Sequence, residues 1–420
     1  MGALYASGLT VDAMWDALLS GQSSLGELSA ADLSSWEYRF GGELTQYQPA
    51  VHLPDKKLMK VISRHDAMGI HAVVQAVSDS GLIDYQATLS AREAEVFNQD
   101  TAVYVGSPGN KYYQQYDFLS LLAASGDDMS VFAERLFSEV HPMWLLRILP
   151  NNVLAYTGIT YGFKGENHNI VNHVAGGLQA ILEAVHAIQS GAAQRAVVVA
   201  YDTGIEPQAL FYYQQLGVLS AKHLSPFDIK HDGTLLAEGA AALVLESEAS
   251  ARARGRFPYA EVLGVLTKSE GQGLFSVDES GQPLAHLLQQ TLTTHQIEPE
   301  KLGFIVAHGN GNPKSDISEA RALDILLEGQ AIPVTAFKWA MGHTLCAAGV
   351  IDTVLATRAL QAKRVPGVAS LKALSPACAH LNLSNQSKAL DLGEHALIIS
   401  RGFAGINASL LLKASDALNV

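Results

Sequence analysis

Apolar residues along the chain fall into two recurring patterns that alternate from end to end. Short β-branched runs that finish on glycine or polar residues predict buried strands with functional carboxyl ends. Stretches with apolar residues every three or four positions, finishing at or near glycine, predict helices. The strand-type runs are AQRAVVVAYDTG (193–204), KLGFIVAHGNG (301–311) and EHALIISRGFAG (394–405), and the helix-type stretches are 63–82, 176–191 and 315–329. The alternation predicts an α/β protein, and no linker or low-complexity segment separates independent domains.

Two of these strand-to-helix segments resemble each other. In 171–191 and again in 343–363, a strand end leads through small residues into a helix rich in Ala, Leu and Ile. Aligning Gly177 with Gly349 places Val174 opposite Cys346. Both helices are apolar on nearly every face, which favours burial against each other between two similar halves. Chance similarity between two alanine-rich helices is the alternative.

The first of these turns, VNHVAGGLQAI (171–181), has the composition of a site that a ligand approaches closely. Its helix begins on Ala175, Gly176 and Gly177, which leave the backbone open. A turn of this shape usually presents a nucleophile, but here it presents Val174.

Composition narrows the class of protein. The 420 residues are 48% hydrophobic and only 16% charged, against about 25% charged in ordinary soluble domains. A charged fraction this low indicates that more surface than usual is hidden in an oligomer interface, so we expect a dimer. The net charge of −13, without a basic run, argues against nucleic acid or an anionic membrane as partner. Two cysteines allow neither a disulfide framework nor a cysteine zinc site. We find no targeting segment and no apolar run of the ~18 residues that a membrane span needs, and we expect a cytoplasmic protein.

Two histidines and a lysine follow apolar runs in the second half of the chain. His308 lies in AHGNGN, and His343 lies in KWAMGHT, five residues after Lys338. Two imidazoles that donate hydrogen bonds to a carbonyl oxygen would stabilise developing negative charge, and the lysine would order them. Hydrogen-bonded core histidines are the alternative for each one taken singly.

Six motifs in order resemble those of the β-ketoacyl synthases, the thiolase-fold condensing enzymes of fatty-acid and polyketide assembly. The resemblance covers nearly the whole chain and implies two similar halves, 1–250 and 251–420, in a layered α-β-α-β-α architecture. The motifs are SRHDAMGIHAVVQAVSDSGL, LPNNVLAYTGITYGFKGEN, SPFDIKHDGTLLAEGAAALVLES, HGNGNPKSDISEA, KWAMGHTLCAAG and SRGFAGINASLLL.

The sequence departs from the family at its nucleophile. The family turn reads roughly Thr-Ala-Cys-x-Ser/Thr-Gly, and placing its glycine on Gly177 puts the acyl-accepting cysteine on Val174, which cannot form a thioester. His308, Lys338 and His343 are retained. Asn310 and Asn312 replace the threonines of the family's HGTGT motif.

Family members without the cysteine include two functional types, and both are open here. One is the chain-length factor, which does not elongate but pairs with an active, Cys-containing ketosynthase and shapes the acyl tunnel. The other is the malonyl carrier-protein decarboxylase, in which glutamine replaces the cysteine and the two histidines generate the starter unit. Valine favours the first type, whereas the retained histidines favour the second. A binding or scaffolding protein outside such pathways is a third reading. No cofactor or metal is implied.

The resemblance also implies a tunnel and a partner. Aromatic residues after AVYVGSPGN would guide the acyl chain, with Phe403 as a gate, although plain core packing is the alternative for this aromatic stripe. The implied tunnel residues are Tyr112, Tyr113, Tyr116, Phe118 and Phe403. An acyl carrier protein would deliver the acyl chain and dock on the densest basic cluster. The alternative is that these basic residues are ordinary solvated surface side chains. That cluster is Lys56, Lys57, Lys60 and Arg64.

Overall fold

The computed structural model describes residues 1–109, 116–390 and 393–415. Strands and helices alternate along the chain, as predicted. The strands are β1 (Gly2–Tyr5), β2 (Gly26–Glu27), β3 (Phe40–Gly41), β4 (Thr101–Gly106), β5 (Asn167–Ile170), β6 (Arg195–Thr203), β7 (Glu238–Glu246), β8 (Ala260–Ser269), β9 (Leu302–Val306), β10 (Pro333–Thr335), β11 (Arg364–Val365), β12 (Asn382–Leu383), β13 (Lys388–Ala389), β14 (His395–Gly402) and β15 (Ile406–Ala414).

All three predicted helices are confirmed, as α3, α10 and α14. The helices are α1 (Val11–Leu19), α2 (Pro49–His52), α3 (Arg64–Ser80), α4 (Leu82–Gln86), α5 (Ala91–Gln99), α6 (Tyr116–Ser125), α7 (Met129–Glu139), α8 (Trp144–Ile148), α9 (Asn152–Tyr161), α10 (Gly176–Ser190), α11 (Pro207–Gln215), α12 (Glu248–Ala253), α13 (Gln282–Thr294), α14 (Pro313–Leu327), α15 (Lys338–Met341) and α16 (Ala348–Ala362). Their ends follow local chemistry. For example, Ser63 and Asp66 form a capping box at the start of α3, and Gly81 ends it in the left-handed conformation.

The two large sheets repeat one topology. The first has the order β1-β7-β6-β4-β5, and the second has the order β8-β15-β14-β9-β10 with β12 added at its edge. In both sheets the first two pairings are antiparallel and the next two are parallel. In each sheet, a long helix also follows the last of these strands. Helix α10 comes after β5, and helix α16 comes after β10 and the short α15. The resemblance between 171–191 and 343–363 therefore reflects a duplicated unit.

The duplicated units stack into five layers. Helix α3 covers the outer face of the first sheet, where it contacts β1, β6 and β7. Helices α10 and α16 pack against each other between the sheets and contact strands of both. Helix α13 covers β8 and β15 on the outer face of the second sheet and packs on α14. This confirms the predicted α-β-α-β-α order of the thiolase fold.

The strands of the two large sheets also separate along the sequence. Those of the first sheet end at Glu246, and those of the second begin at Ala260. The division into 1–250 and 251–420 stays a proposal, which this separation supports.

One expectation about membrane spans was wrong. The segment Leu345–Ala362 is long and apolar enough to cross a membrane, but 83% of it is buried inside the protein. Its apolar faces are occupied by the two sheets and by α10, so the segment is a core helix. A helix buried on every side has the same composition as a membrane span, which is why sequence length and polarity do not separate the two.

Candidate active site

Two matching turns bring the site together at the starts of α10 and α16. Each begins with a residue in the left-handed region, His173 at φ 47° and Leu345 at φ 45°, followed by a 3₁₀ turn and a helix of fifteen residues. Such a conformation costs a residue with a side chain of order 1 kcal/mol or more. Its presence at both turns confirms the alignment of Val174 with Cys346.

Small residues allow these two turns to touch. A methyl group on Gly177 would lie 2.5 Å from the carbonyl oxygen of Cys346, and one on Gly176 would lie 2.9 Å from Cys346 Sγ. Cys346 is fully buried, its backbone N–H donates to Asp202 Oδ2 at 3.1 Å, and burial raises the pKa of its thiol well above the ordinary value. Cys346 therefore packs the two turns together and is a poor substitute for the missing nucleophile.

Val174 is sealed within apolar side chains. It is 2% exposed and belongs to a cluster built from the N-terminal loop, the segment around α11 and the second turn. Its carbonyl oxygen accepts a hydrogen bond from Ser400 Oγ at 3.3 Å. The other buried members of the cluster are Leu28, Leu33, Ile205, Leu210, Leu219, Leu236 and Leu345.

His308 is held by the acidic residues that follow its motif. Glu319 accepts hydrogen bonds from the backbone N–H groups of His308 at 2.7 Å and of Gly309 at 3.0 Å. Asp316 accepts from Gly311 N at 3.2 Å in the same loop. The two asparagines that replace the family threonines keep local roles, since Asn310 accepts from the backbone of Asn312 and Asn312 caps α14. The loop is thus tied down despite the departure from HGTGT.

Backbone hydrogen bonds fix the proton positions on both predicted histidines. Nδ1 of His308 accepts from Arg401 N at 3.4 Å, and Nδ1 of His343 accepts from Leu345 N at 3.1 Å. Burial lowers the pKa of both rings well below the ordinary value, and the neighbouring Lys338 lowers it further. A neutral imidazole that accepts at Nδ1 carries its proton on Nε2. The rings lie 5.1 Å apart between centroids, so the structure brings together two N–H donors, as predicted.

Lys338 is paired with a residue that the sequence reasoning missed. Its Nζ donates to Asp352 Oδ2 at 3.0 Å, and both side chains are almost completely buried. Asp352 lies within the apolar run that begins α16 and is buried there, and a carboxylate in such a run was a signal in the sequence. The pair neutralises the lysine close to the two histidines. Removing either partner would leave a buried charge uncompensated.

A third imidazole, that of His173, also belongs to this site and was missed by sequence reasoning. Its Nε2 lies 2.5 Å from the Tyr213 hydroxyl, and its buried Nδ1 has no hydrogen-bond partner in the part of the chain that the structure describes. Burial lowers its pKa to about 4. The sequence carried a signal for this residue, because a histidine directly before Val174 replaces the alanine of the family turn. The left-handed turn places the imidazole beside Val174, which no periodicity predicts.

Phe403 covers His173 from the β14–β15 connection. The two rings stack at 4.7 Å between centroids, and Tyr213 also stacks on Phe403 at 5.7 Å. Phe275 meets Phe403 edge-to-face at 5.4 Å. The next residue, Ala404, has φ 62° where the family motif has glycine. The predicted gate residue is therefore next to the site.

The other predicted tunnel residues are not brought to the histidines by any described contact. Tyr112 and Tyr113 lie outside the described residues, and Tyr116 begins α6. Phe118 packs edge-to-face against Trp144 at 5.1 Å. Their role in a tunnel stays a prediction.

The predicted docking cluster lies on the 3₁₀ turn Lys56–Lys60 and the start of α3. Lys56, Lys57 and Lys60 are exposed. Arg64 instead forms an ion pair with Glu238 at 3.0 Å and donates to the backbone oxygens of Leu44 and Tyr47. Its guanidinium therefore also ties the N-terminal loop to the first sheet. Docking on this cluster stays a prediction.

Comparison with known proteins identifies relatives along the whole chain. The N-terminal domain of β-ketoacyl synthases matches residues 1–251, and the C-terminal domain matches 259–372. The chain is 28% identical to 3-oxoacyl-[acyl-carrier-protein] synthase 2 of Synechocystis sp., covering 98% of this chain and 96% of the relative. It is 27% identical to a putative polyketide β-ketoacyl synthase 1 of Streptomyces cyaneus, with the same coverage. The solved ishigamide ketosynthase/chain length factor shares the fold, with a TM-score of 0.85, 22% identity and coverage of 98% and 97%.

We predict that Val174→Cys places a reactive thiol in this site. The helix dipole at the start of α10 favours the thiolate, and the absent side chain of Gly402 leaves a methyl-sized space beside Val174 Cβ. Burial raises the pKa of Cys346 well above its ordinary value and that of Cys378 to about 12, and Gly176 and Gly177 lie against Cys346. The change should cost about 1 kcal/mol or less in unfolding free energy. Iodoacetamide labelling followed by peptide mass spectrometry should show position 174 reacting faster than either native cysteine.

Val174→Ala is the matched control for that labelling, because it opens the same position without adding a thiol. It should show only the background rate of the two native cysteines. If the thiol at position 174 labels no faster than Cys346 and Cys378, the turn has only a structural role in packing the two helices.

Proposed function

Because the chain belongs to the β-ketoacyl synthase family, we propose that it is a non-elongating, chain-length-factor-type subunit. It pairs with an active, Cys-containing ketosynthase in a type II polyketide or fatty-acid-like pathway and shapes the acyl tunnel. One observation carries this proposal: the nucleophile position holds Val174, buried in an apolar cluster, within a site whose framework is otherwise kept. A hydrocarbon side chain accepts no acyl group, so condensation has to be performed by the partner.

Exposed apolar side chains support the need for a partner. The segment from α6 to the end of α8 carries several large hydrophobic residues with much of their surface in solvent, and an apolar surface of this kind marks an interaction site. Phe137 is 87% exposed and Leu145 is 62% exposed. The others in this segment are Leu119, Leu122, Met129, Met143, Leu146 and Leu149.

The open edge of the first sheet offers a second contact. Among the described strands, β5 lies at that edge. Val171, directly after β5, is 55% exposed, and Ile159 on the preceding α9 is 74% exposed. An unpaired strand edge is a template for pairing with another chain. We propose that the ketosynthase covers this edge and the α6–α8 segment together, and that Phe118 then contributes to the tunnel at the interface, with Tyr112, Tyr113 and Tyr116.

The acyl carrier protein is the second partner in this proposal. The relatives' names place acyl carrier proteins in their reactions, and carrier proteins are normally acidic. Since this chain has a net charge of −13, a local basic patch is required for docking. The exposed Lys56, Lys57 and Lys60 provide one, with Arg64 at its border. The proposed location is the cytoplasm.

The retained histidines favour one alternative, decarboxylation of a malonyl carrier-protein thioester. His308 Nε2 is buried and finds no hydrogen-bond partner within residues 1–109, 116–390 and 393–415. A donor in that state would stabilise the enolate that forms when carbon dioxide leaves. Against it, Val174 supplies no amide to hold the thioester. A scaffolding role outside any acyl pathway has no feature of the site in its favour.

We predict that the chain co-purifies with a Cys-containing ketosynthase as a heterodimer. An obligate interface of this kind buries on the order of 2,000 Å² or more. Size-exclusion chromatography of the co-expressed pair should give one peak, and a product assay should give polyketide or acyl product only when both chains are present. Elution as two separate species at micromolar concentration would contradict the proposal.

Phe137→Asp tests the interface within the same experiment, because it places a charge on the exposed apolar segment. It should weaken the heterodimer at least tenfold. The matched control is Phe257→Asp, since Phe257 is 76% exposed but lies in the connection before β8. This control should leave the heterodimer unchanged.

The decarboxylase alternative is separated by measuring carbon dioxide release from malonyl carrier protein. The chain-length-factor proposal predicts little or no release by this chain. Robust release that is lost in both His308→Ala and His343→Ala would make decarboxylation the leading function.

A further inference from the structure

We propose that His173 is a ligand-binding residue which, together with His308, holds the carbonyl oxygen of a neutral acyl thioester in this site without covalent attachment. The inference rests on the proposed function, because it assumes that acyl thioesters reach the chain. It goes further in giving the degenerate site a binding activity of its own. No bond is formed or broken, since Val174 accepts no acyl group.

The first observation is a pair of unsatisfied nitrogen atoms in one site. His173 Nδ1 and His308 Nε2 are both buried, and neither has a hydrogen-bond partner among the described residues. When the Tyr213 hydroxyl donates to His173 Nε2, 2.5 Å away, the ring proton lies on Nδ1. His308 carries its proton on Nε2 because Nδ1 accepts from Arg401 N. In this tautomer, two buried donors lack acceptors among the described residues, and each costs about 1–3 kcal/mol when left unpaired.

The second observation is a space kept open between these groups. Gly402 has an extended backbone that any residue adopts, with φ −129°. A methyl group at this position would lie 3.5 Å from Val174 Cβ and 3.7 Å from His173 Nδ1. The preceding residue, Arg401, donates its backbone N–H to His308. The absence of a side chain at 402 thus leaves room for a methyl-sized group beside His173 and Val174, one residue after the Arg401 N–H that holds His308.

The charges of the site select a neutral oxygen. Burial keeps His173 and His308 uncharged, with the pKa of His173 at about 4. Among the described residues, two cations act on His308 and both are paired, Lys338 with Asp352 and Arg401 with Glu270, each at 3.0 Å. A carboxylate brought into these surroundings would lose its hydration without meeting a free positive charge. A carbonyl oxygen has two lone pairs and accepts from both imidazoles.

The test measures binding of a stable thioester mimic by calorimetry. The probe is an acetyl-pantetheine analogue in which a methylene replaces the thioester sulfur, so that no acyl transfer takes place. The protein is the full chain, or its complex with a ketosynthase whose active-site cysteine has been alkylated. The wild type should bind this ketone at least tenfold more tightly than pantetheine without an acyl group.

Two variants remove the site in different ways. His173→Phe keeps an aromatic ring against Phe403 but removes the donor, and Gly402→Ala keeps both donors but fills the space. Each should weaken ketone binding at least tenfold while leaving the binding of pantetheine alone unchanged. The matched control is His286→Phe, which replaces an exposed histidine on α13 and should bind the ketone as the wild type does.

Three outcomes would overturn the inference. The first is unchanged ketone affinity in Gly402→Ala, which tests the site even if His173→Phe fails to fold. The second concerns a malonyl analogue, in which a malonyl group replaces the acetyl group of the probe. If the wild type binds it more tightly than the ketone, the site is assigned to a carboxylate. The third is a crystal structure with the ketone in which the carbonyl lies away from His173 Nδ1. All three leave the heterodimer intact, so failure here is distinguishable from failure of the proposed function.

Discussion

The structure depends on the close contact between the starts of its two central helices. Gly177 meets the carbonyl oxygen of Cys346, and a methyl group on Gly106 at the end of β4 would lie 2.9 Å from the backbone of Gly176 and Gly177. No side chain fits where these three segments meet. The contact fixes the first turn, which carries His173 and Val174, against the second turn, whose Leu345 N–H holds His343. The site therefore follows from how closely the two halves of the duplication pack.

This packing also explains why the site is buried and why its two retained histidines stay uncharged. His308, His343, Lys338 and Asp352 lie among buried apolar side chains, where an isolated charge is expensive. The lysine and aspartate avoid this cost by forming an ion pair, and the imidazoles avoid it by staying neutral. We propose that the site, with valine at the position of the nucleophile, keeps a set of oriented N–H donors that bind and polarise an oxygen but form no bond to carbon.

Much of this arrangement could be predicted from the sequence. The three strand-type runs and three helix-type stretches appear where their periodicity places them, and the alignment of Val174 with Cys346 is confirmed by matching left-handed residues at the two turns. Pairings between distant residues could not be predicted. The links between Lys338 and Asp352, between Arg64 and Glu238, and between His173 and Tyr213 join segments from 14 to 174 positions apart. Only the fold sets their distances. The membrane-span expectation failed at 345–362 for a related reason, since burial by both sheets is a property of the fold.

The central claim is that the chain keeps the framework of a condensing enzyme but accepts no acyl group. Intact mass spectrometry after incubation with an acyl carrier protein tests this most directly. We predict an unchanged mass for this chain, while a Cys-containing ketosynthase in the same mixture gains one acyl group. A stoichiometric, hydroxylamine-sensitive adduct on any residue of this chain would contradict the account.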